Sequence, residues 1–384
     1  MNNKMRTGLL SVFMIIAVAI LSLSGCNTVH AKDEKSGQMP AFLYSMPLDY
    51  ASQFSVDYYE NGYKLLSFAN GDRIFMVPEG ADIPSGLDEG TKILKCPVSS
   101  IYLAATSAMS LFDSLGILDV IRLSGTQADG WYIDNAKKAM TEGKIVYAGK
   151  YNQPDYELIT SEKCPLAVES MMIGHASDIK EQLENLGIIV LTDQSSNEPH
   201  PLGRAEWIKL YGAIFDKEDT AENAFGEQKK YLDDISMKET TGKTVAFFYV
   251  SSSGRIVVRK SEDYVSKMIS LAGGRYVFAE IGDNTAKTYS VTIYHEALYA
   301  SAHNSDILIY NSTIGSEIRS LDELIEKCEL LADFDAVKNG NVWCTQKNMY
   351  QETMSLGAMI NSFYEIFSDN SGNLEEVPYL FKLK

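Results

Sequence analysis

The chain is short of the residues on which most catalytic and metal-binding classes depend. Its 384 residues include only five cysteines and five histidines. No two cysteines form a CxxC pair, which removes zinc knuckles and thioredoxin-like motifs. His30, His175, His200, His295 and His303 are scattered, with no HExxH among them. There is no Gly-x-Ser-x-Gly elbow and no glycine-rich phosphate cradle; Ser251-Ser252-Ser253-Gly254 is a loop, not an elbow. An enzyme would need a site outside these patterns, so none is expected. Basic residues are outnumbered 34 to 51, a net charge of −17. So acidic a body argues against nucleic acid and against electrostatic adhesion to anionic lipid. Beyond residue 25 no apolar run is long enough to span a bilayer.

What is present begins at the N-terminus. Lys4 and Arg6 precede an almost unbroken apolar run, Leu9 to Leu23, which ends in Leu23-Ser24-Gly25-Cys26. A run that short, followed by small residues, reads as a cleaved signal rather than an anchor helix. It resembles the bacterial lipoprotein signal. That resemblance implies a signal peptide over 1–25, a diacylglyceryl group on the Cys26 thiol, and a protein held on the extracytoplasmic face of the cell membrane. Residues 26–40 then form a flexible tether.

The remaining chain is too long for one small core and suggests two lobes. Residues 41–98 show short alternating runs, Phe54 to Tyr59, Tyr63 to Phe68 and Arg73 to Val77, separated by Asn61-Gly62 and Asn70-Gly71. These are hairpin signals, so a small antiparallel β meander is expected. From 99 to 204 strands and helices alternate: strands at Ser100 to Ala105, Val120 to Leu123, Ile145 to Ala148, Leu166 to Glu169 and Ile188 to Leu191, with helices such as Ser177 to Leu186 between them. That alternation marks an α/β lobe with a mostly parallel sheet. Residues 205–241 read as a helical rod, with Asp216 a candidate N-cap and Asp219 in an acidic first turn. Residues 242–384 form a second α/β lobe, with strands at Val245 to Val250, Ile256 to Val258, Asp306 to Tyr310 and Asn341 to Cys344. Cys164 and Cys344 lie in or beside apolar runs and read as buried thiols.

From Ser100 onward the chain resembles the iron-siderophore, haem and cobalamin class of ABC-transporter substrate-binding proteins, the class III periplasmic-binding-protein family. The residues that carry the resemblance are Ile101-Tyr102 to Leu115-Gly116, Gly149 to Ile159 (GKYNQPDYELI), Pro165 to Glu169, Leu271-Ala272-Gly273-Gly274 with Tyr276-Val277-Phe278, and Glu296 to Tyr310. The resemblance implies two Rossmann-like lobes joined by a long helical rod, with the ligand in the cleft between them. The partners it implies are an ABC permease with its ATPase and a chelated-metal ligand such as a ferric siderophore, haem or a corrinoid. It also implies a monomer without a resident cofactor, and small lobe movements. One exposed glutamate per lobe would dock into arginine pockets of the permease; Glu157 in Pro154-Asp155-Tyr156-Glu157-Leu158 and Glu296 in Tyr294-His295-Glu296-Ala297-Leu298 match. Residues 41–98 are not part of the family's usual core.

Ligand crevices in open α/β sheets lie beyond the carboxyl ends of strands. Three such loops carry candidate ligand-binding residues: Ser124 to Ile133 with Trp131 and Tyr132, Ser170 to His175 with Met171, Met172 and His175, and Ser251 to Arg255 with Arg255. Aromatic and methionine surfaces suit a large, flat, partly apolar ligand. Trp131 and Tyr132, in a polar loop after Gly130, are expected to face the cleft. Arg255 or Arg259 would hold anionic groups. Met171 and Met172 serve core packing equally well, and His175 is either an iron ligand or a solvated loop residue. In Glu198 to Gly212 (EPHPLGRAEWIKLYG), Arg204 and Glu206 read as structural, with a cleft contact by Arg204 the alternative. Direct capture of zinc or manganese is the rival function; it commonly takes several histidines with carboxylates, and this chain has few.

Overall fold

The computed structural model describes residues 38–281, 288–315 and 317–384; the signal, Cys26 and the tether as far as residue 37 lie outside them. Residues 40–81 and 88–384 form one compact unit. It begins with a five-stranded sheet in the order β1 (Phe42–Ser45), β2 (Phe54–Tyr59), β3 (Lys64–Phe68), β4 (Arg73–Val77) and β5 (Lys92–Lys95). The first four strands are antiparallel, as expected, and β5 adds a parallel edge. Asn61 and Gly62 both adopt positive φ between β2 and β3, the conformation that makes Asn-Gly a turn. Phe54, Val56, Leu66, Phe68, Ile74 and Met76 all enter the hydrophobic core that holds Ile101, Leu103 and Trp207. This sheet is therefore built into the first lobe rather than appended to it.

In the first lobe the strands β6 (Ile101–Leu103), β7 (Ile121–Ser124) and β8 (Val146–Tyr147) precede a small hairpin, β9 (Gly149–Lys150) with β10 (Gln153–Pro154). β11 (Leu166–Ser170) and β12 (Ile189–Asp193) complete a parallel sheet of order β12-β11-β6-β7-β8. Helices α1 (Met109–Ser114), α2 (Asp134–Thr141), α3 (Tyr156–Ser161) and α4 (Ser177–Asn185) connect the strands. Strand order reverses beside β6, which makes the carboxyl ends of β6 and β11 a topological switch point.

The helical stretch between the lobes is two helices, α5 (Pro201–Ile214) and α6 (Glu218–Ser236). Pro201 occupies the first helical position, where its missing N–H costs nothing, and the His200 Nδ1 accepts from Leu202 N at 3.1 Å. Every residue of α5 except Arg204 is buried. Asp216 is not an N-cap: it sits in the intervening turn with a φ of 53°, and α6 starts from Lys217 with Glu218 and Asp219 as its acidic first turn. Asp216 and Glu218 instead bind the buried Lys64 Nζ at 2.7 and 2.8 Å. α6 continues into the second lobe, where Gly357 lies so close that a Cβ would collide with the Gln228 carbonyl.

The second lobe is centred on parallel strands β13 (Thr244–Val250), β17 (Ile307–Tyr310) and β18 (Val342–Thr345). β14 (Ile256–Arg259) and β16 (Ser290–Ile293) extend one side antiparallel, β15 (Arg275–Tyr276) pairs with the start of β13, and β19 (Glu376–Val377) with β20 (Leu380–Lys382) closes the other side. Helices α7 (Tyr264–Leu271), α8 (His295–Ala302), α9 (Leu321–Lys327), α10 (Asp335–Lys338) and α11 (Leu356–Ser368) cover it. Cys96, Cys164, Cys328 and Cys344 are free thiols, the last three buried. No helix of the described residues is long and apolar enough to cross a membrane.

Two buried carboxylates tie the opening segment down. Glu206, fully buried on α5, accepts from the backbone N–H groups of Asp49, Tyr50 and Ala51 at 2.7–2.8 Å. Glu198 accepts from Ser52 N, Gln53 N and the Trp207 indole. Glu206→Ala would remove the acceptor of three half-buried or exposed backbone N–H groups and one carboxylate from the buried Lys209; at about 1 kcal/mol per lost bond, a loss of about 3 kcal/mol is expected in urea unfolding, with a smaller loss for Glu206→Gln. A loss below about 1 kcal/mol would show that the clamp carries no stability.

Candidate functional site

Tyr132 of the first lobe meets the second lobe at the carboxyl ends of β17 and β18. A cavity of about 300 Å³ lies there, lined by Tyr132, Ser312, Glu317, Arg319, Thr345, Gln346, Lys347 and Phe381. Ser312 follows β17 and Lys347 follows β18, and the two loops are locked together where Ser312 N donates to Thr345 Oγ1 at 3.0 Å. The Lys347 ammonium lies 2.6 Å from Glu317, which Arg319 also contacts. That hydrogen bond from Lys347 holds the Glu317 carboxyl below the usual carboxylate range, and Glu317 in turn raises Lys347. The Arg319 guanidinium rests over the Phe381 ring, 5.2 Å from its centroid. Two cations against one carboxylate leave the wall locally positive in a protein of strongly negative charge.

The wall is braced from behind. The Tyr350 hydroxyl accepts from Arg259 Nη2 at 2.6 Å and from Asn311 Nδ2 at 2.8 Å, and Arg259 lies 3.7 Å from the buried Asp263. Arg259 is thereby committed to structure and is not free to hold an anionic ligand. A larger cavity, about 400 Å³, is lined by Thr244, Arg275 and Ser305, but it lies at the amino ends of β13 and β17. The strand-end rule selects the smaller one.

The expected site residues separate. Tyr132 is on the cavity wall and 43% exposed. Trp131 is a correction: it is 1% exposed and packed in the first lobe's core. The short turn Ala128–Gly130 redirects the chain so that the indole falls inward beside Ile133 and Ala136, leaving only Tyr132 outside. Met171, Met172 and His175 are exposed on the Met171–His175 turn after β11 and are not among the cavity's lining. Exposure excludes the core-packing reading of the two methionines. Arg255 is exposed in the β13–β14 turn, where its Nε donates to Ser253 Oγ at 3.2 Å. Arg204 stacks on Tyr264 of α7 at 3.9 Å, a lobe-to-lobe contact rather than a cavity one.

Glu157 and Glu296 are both exposed, each in the first turn of a short helix, α3 and α8. α3 leads to β11 and α8 to β17, so the two positions are topologically equivalent. At the first lobe's switch point, Glu169 is fully buried and neither carboxyl oxygen has a hydrogen-bond partner among the described residues. Its registered neighbour on β12 is Thr192, whose hydroxyl likewise has no partner among the described residues. Burial pushes the Glu169 carboxyl up to about 8.

Sequence reasoning missed the residues of the second lobe's wall. The same strand-end rule applied after Tyr310 and Cys344 would have reached Ser312 and Lys347. Phe381 carried no such signal, because it arrives from a C-terminal hairpin that was not foreseen.

Comparison with known proteins agrees with this architecture. A family model described as periplasmic binding protein matches residues 113–349. An uncharacterized lipoprotein of Methanocaldococcus jannaschii is 25% identical over 378 residues, covering 89% of this chain and 88% of that protein. A second from the same archaeon is 24% identical, covering 98% of this chain and 99% of the other. Among solved structures, the haem-binding protein HutB of Vibrio cholerae superposes with a TM-score of 0.57 at 14% identity, covering 69% of this chain and 98% of that one. The catecholate-siderophore binding protein VctP of Vibrio cholerae gives 0.54 at 16%, covering 70% and 93%. At these identities the structures show a shared fold.

The Glu169 carboxyl gives a pH signature. Unfolded it ionises near about 4.3; folded it keeps its proton to about 8. Between those values the native state binds more protons, so this group's contribution to stability falls as pH rises and levels off above the folded value. Glu169→Gln should therefore gain about 3 kcal/mol over the parent at pH 7 relative to their difference at pH 4. A difference that does not change with pH would show that Glu169 is ionised in the fold.

Proposed function

The chain belongs to the periplasmic binding protein family, a family of substrate-binding proteins rather than enzymes, and on that premise we propose that it is a lipid-anchored binding protein, tethered through Cys26, that captures an anionic ferric chelate and delivers it to an ABC importer. A solute-binding role follows from the family. The chelate class rests on one observation: Arg319 and Lys347 line the same cavity as Tyr132, Lys347 just after β18 and Arg319 in the segment between β17 and α9. Guanidinium and ammonium groups suit carboxylate or catecholate oxygens, and Tyr132 and Phe381 supply aromatic faces. A bare transition metal fits this wall poorly, because its one carboxylate, Glu317, is already engaged by two cations. Haem and corrinoids want broader apolar walls than one tyrosine and one phenylalanine provide. The lipoprotein relatives support the anchored, extracytoplasmic location.

Binding of ferric tricatecholate, ferric hydroxamate, haem, cobalamin, Zn²⁺ and Mn²⁺ to residues 38–384, followed by tryptophan fluorescence, tests the ligand class. Submicromolar binding of a ferric chelate is expected, weakened about tenfold, or about 1.4 kcal/mol, by Arg319→Ala or Lys347→Ala. Binding of haem alone or of free metal alone would overturn the chelate reading. Delivery is assigned to Glu157 and Glu296, whose paired exposure on equivalent helices suits a bipartite grip by arginines. The double variant Glu157→Ala with Glu296→Ala should abolish uptake into cells at unchanged ligand affinity; normal uptake would remove the docking role.

A further inference from the structure

Gln351 follows the turn Lys347–Tyr350 of the second lobe, and its side chain reaches the first. Its Nε2 donates to Gly130 O at 2.8 Å while its Oε1 accepts from Tyr132 N at 2.8 Å. A single amide orientation satisfies both groups. The loop it grips has three consecutive anchors. Gly130 offers its carbonyl to the second lobe, Trp131 is buried in the first lobe's core, and Tyr132 has its backbone held by Gln351 and its ring on the cavity. Gln351 itself does not line the cavity. Its own turn is equally committed: Gln346 and Lys347 belong to the cavity wall, and Tyr350 carries the bonds from Arg259 and Asn311. One short segment after β18 thus supplies Lys347 to the cationic wall and also fixes the aromatic wall across the lobe boundary.

We propose that Gln351 is a positioning residue that couples the approach of the two lobes to the placement of the Tyr132 ring against bound solute. The coupling rests on the solute-binding reading of the cavity; the grip on the loop does not. When the lobes are together, two hydrogen bonds fix the loop and the ring is presented in one place. When they part, the amide leaves, the Gly130 carbonyl and Tyr132 N–H return to water, and the ring loses its support. Selectivity at the aromatic wall is then set by a residue that never touches the ligand.

The test uses residues 38–384 with two variants. Gln351→Ala removes both bonds. Gln351→Glu keeps an acceptor for Tyr132 N but sets a carboxylate oxygen against Gly130 O. Hydrogen exchange in the unliganded protein reads the loop directly: the Tyr132 amide should exchange at least about tenfold faster in Gln351→Ala and remain protected in Gln351→Glu, with amides of β2 to β4 unchanged in both. Ferric tricatecholate reads the coupling: Gln351→Ala should weaken its binding about tenfold. Unchanged exchange at Tyr132 overturns the grip, and faster exchange with unchanged affinity overturns the coupling. A parent protein that binds no chelate but loses Tyr132 protection in Gln351→Ala refutes the chelate reading and leaves the grip standing.

Discussion

The structure depends first on the Glu206 carboxylate. A carboxylate buried without solvent is tolerable only when hydrogen bonds or a counter-charge replace its water; three successive backbone N–H groups from residues 49–51 and the buried Lys209 ammonium, 3.2 Å away, do so. The requirement runs both ways. Those N–H groups lie in a segment outside any helix or strand and find their acceptor on α5, so the irregular segment and the helix satisfy each other's polar groups. Glu198 repeats the arrangement one step along, with the Trp207 indole as an extra donor. The opening sheet is seated by this pair, and Phe54 and Phe68 then close on Trp207.

From α5 the constraint passes to the cleft. Lys64 on β3 holds Asp216 and Glu218 at the turn into α6, and Lys229 farther along α6 meets Asp49 at 2.6 Å. The N-terminal segment therefore braces the helix that joins the lobes, through Lys64 of the opening sheet and Asp49 ahead of β2. At its middle, next to Lys229, α6 lies against Gly357 with no room for a side chain. A connecting helix held at its start and its middle restrains a hinge, which favours motion on the scale of a loop and a few side chains. Gln351 works on that scale.

The two lobes and their helical connection were legible because parallel-sheet strands are short continuous apolar runs, and those around Val168, Phe247 and Leu308 stand out between helical periodicities. The hidden elements have physical reasons. β9, β10, β15 and β19 are two residues long and too short to show any period. The break at Asp216 falls between two stretches that both repeat at helical spacing. Trp131 was misjudged because polar neighbours signal a loop but say nothing of which way one ring in it turns. The cavity was least legible, since its wall is assembled from Tyr132, Ser312, Arg319, Lys347 and Phe381, which no local pattern joins.

The electrostatics divide by distance. At physiological salt the screening length is about 8 Å, so the net charge of −17 repels an anionic solute only weakly until it is close. Inside the cavity the near field is that of Arg319 and Lys347, held in place by Glu317. That carboxylate draws both cations to the cavity wall, which under the proposed function lowers the cost of ordering them around an anion. Affinity of this origin lies in short contacts that slow release, not in steering that speeds arrival. The acidic exterior meanwhile suits the proposed docking of Glu157 and Glu296 onto basic pockets. On the proposed function, a body that repels an anionic cargo can still attract a basic receptor, provided the cleft keeps an opposite charge of its own.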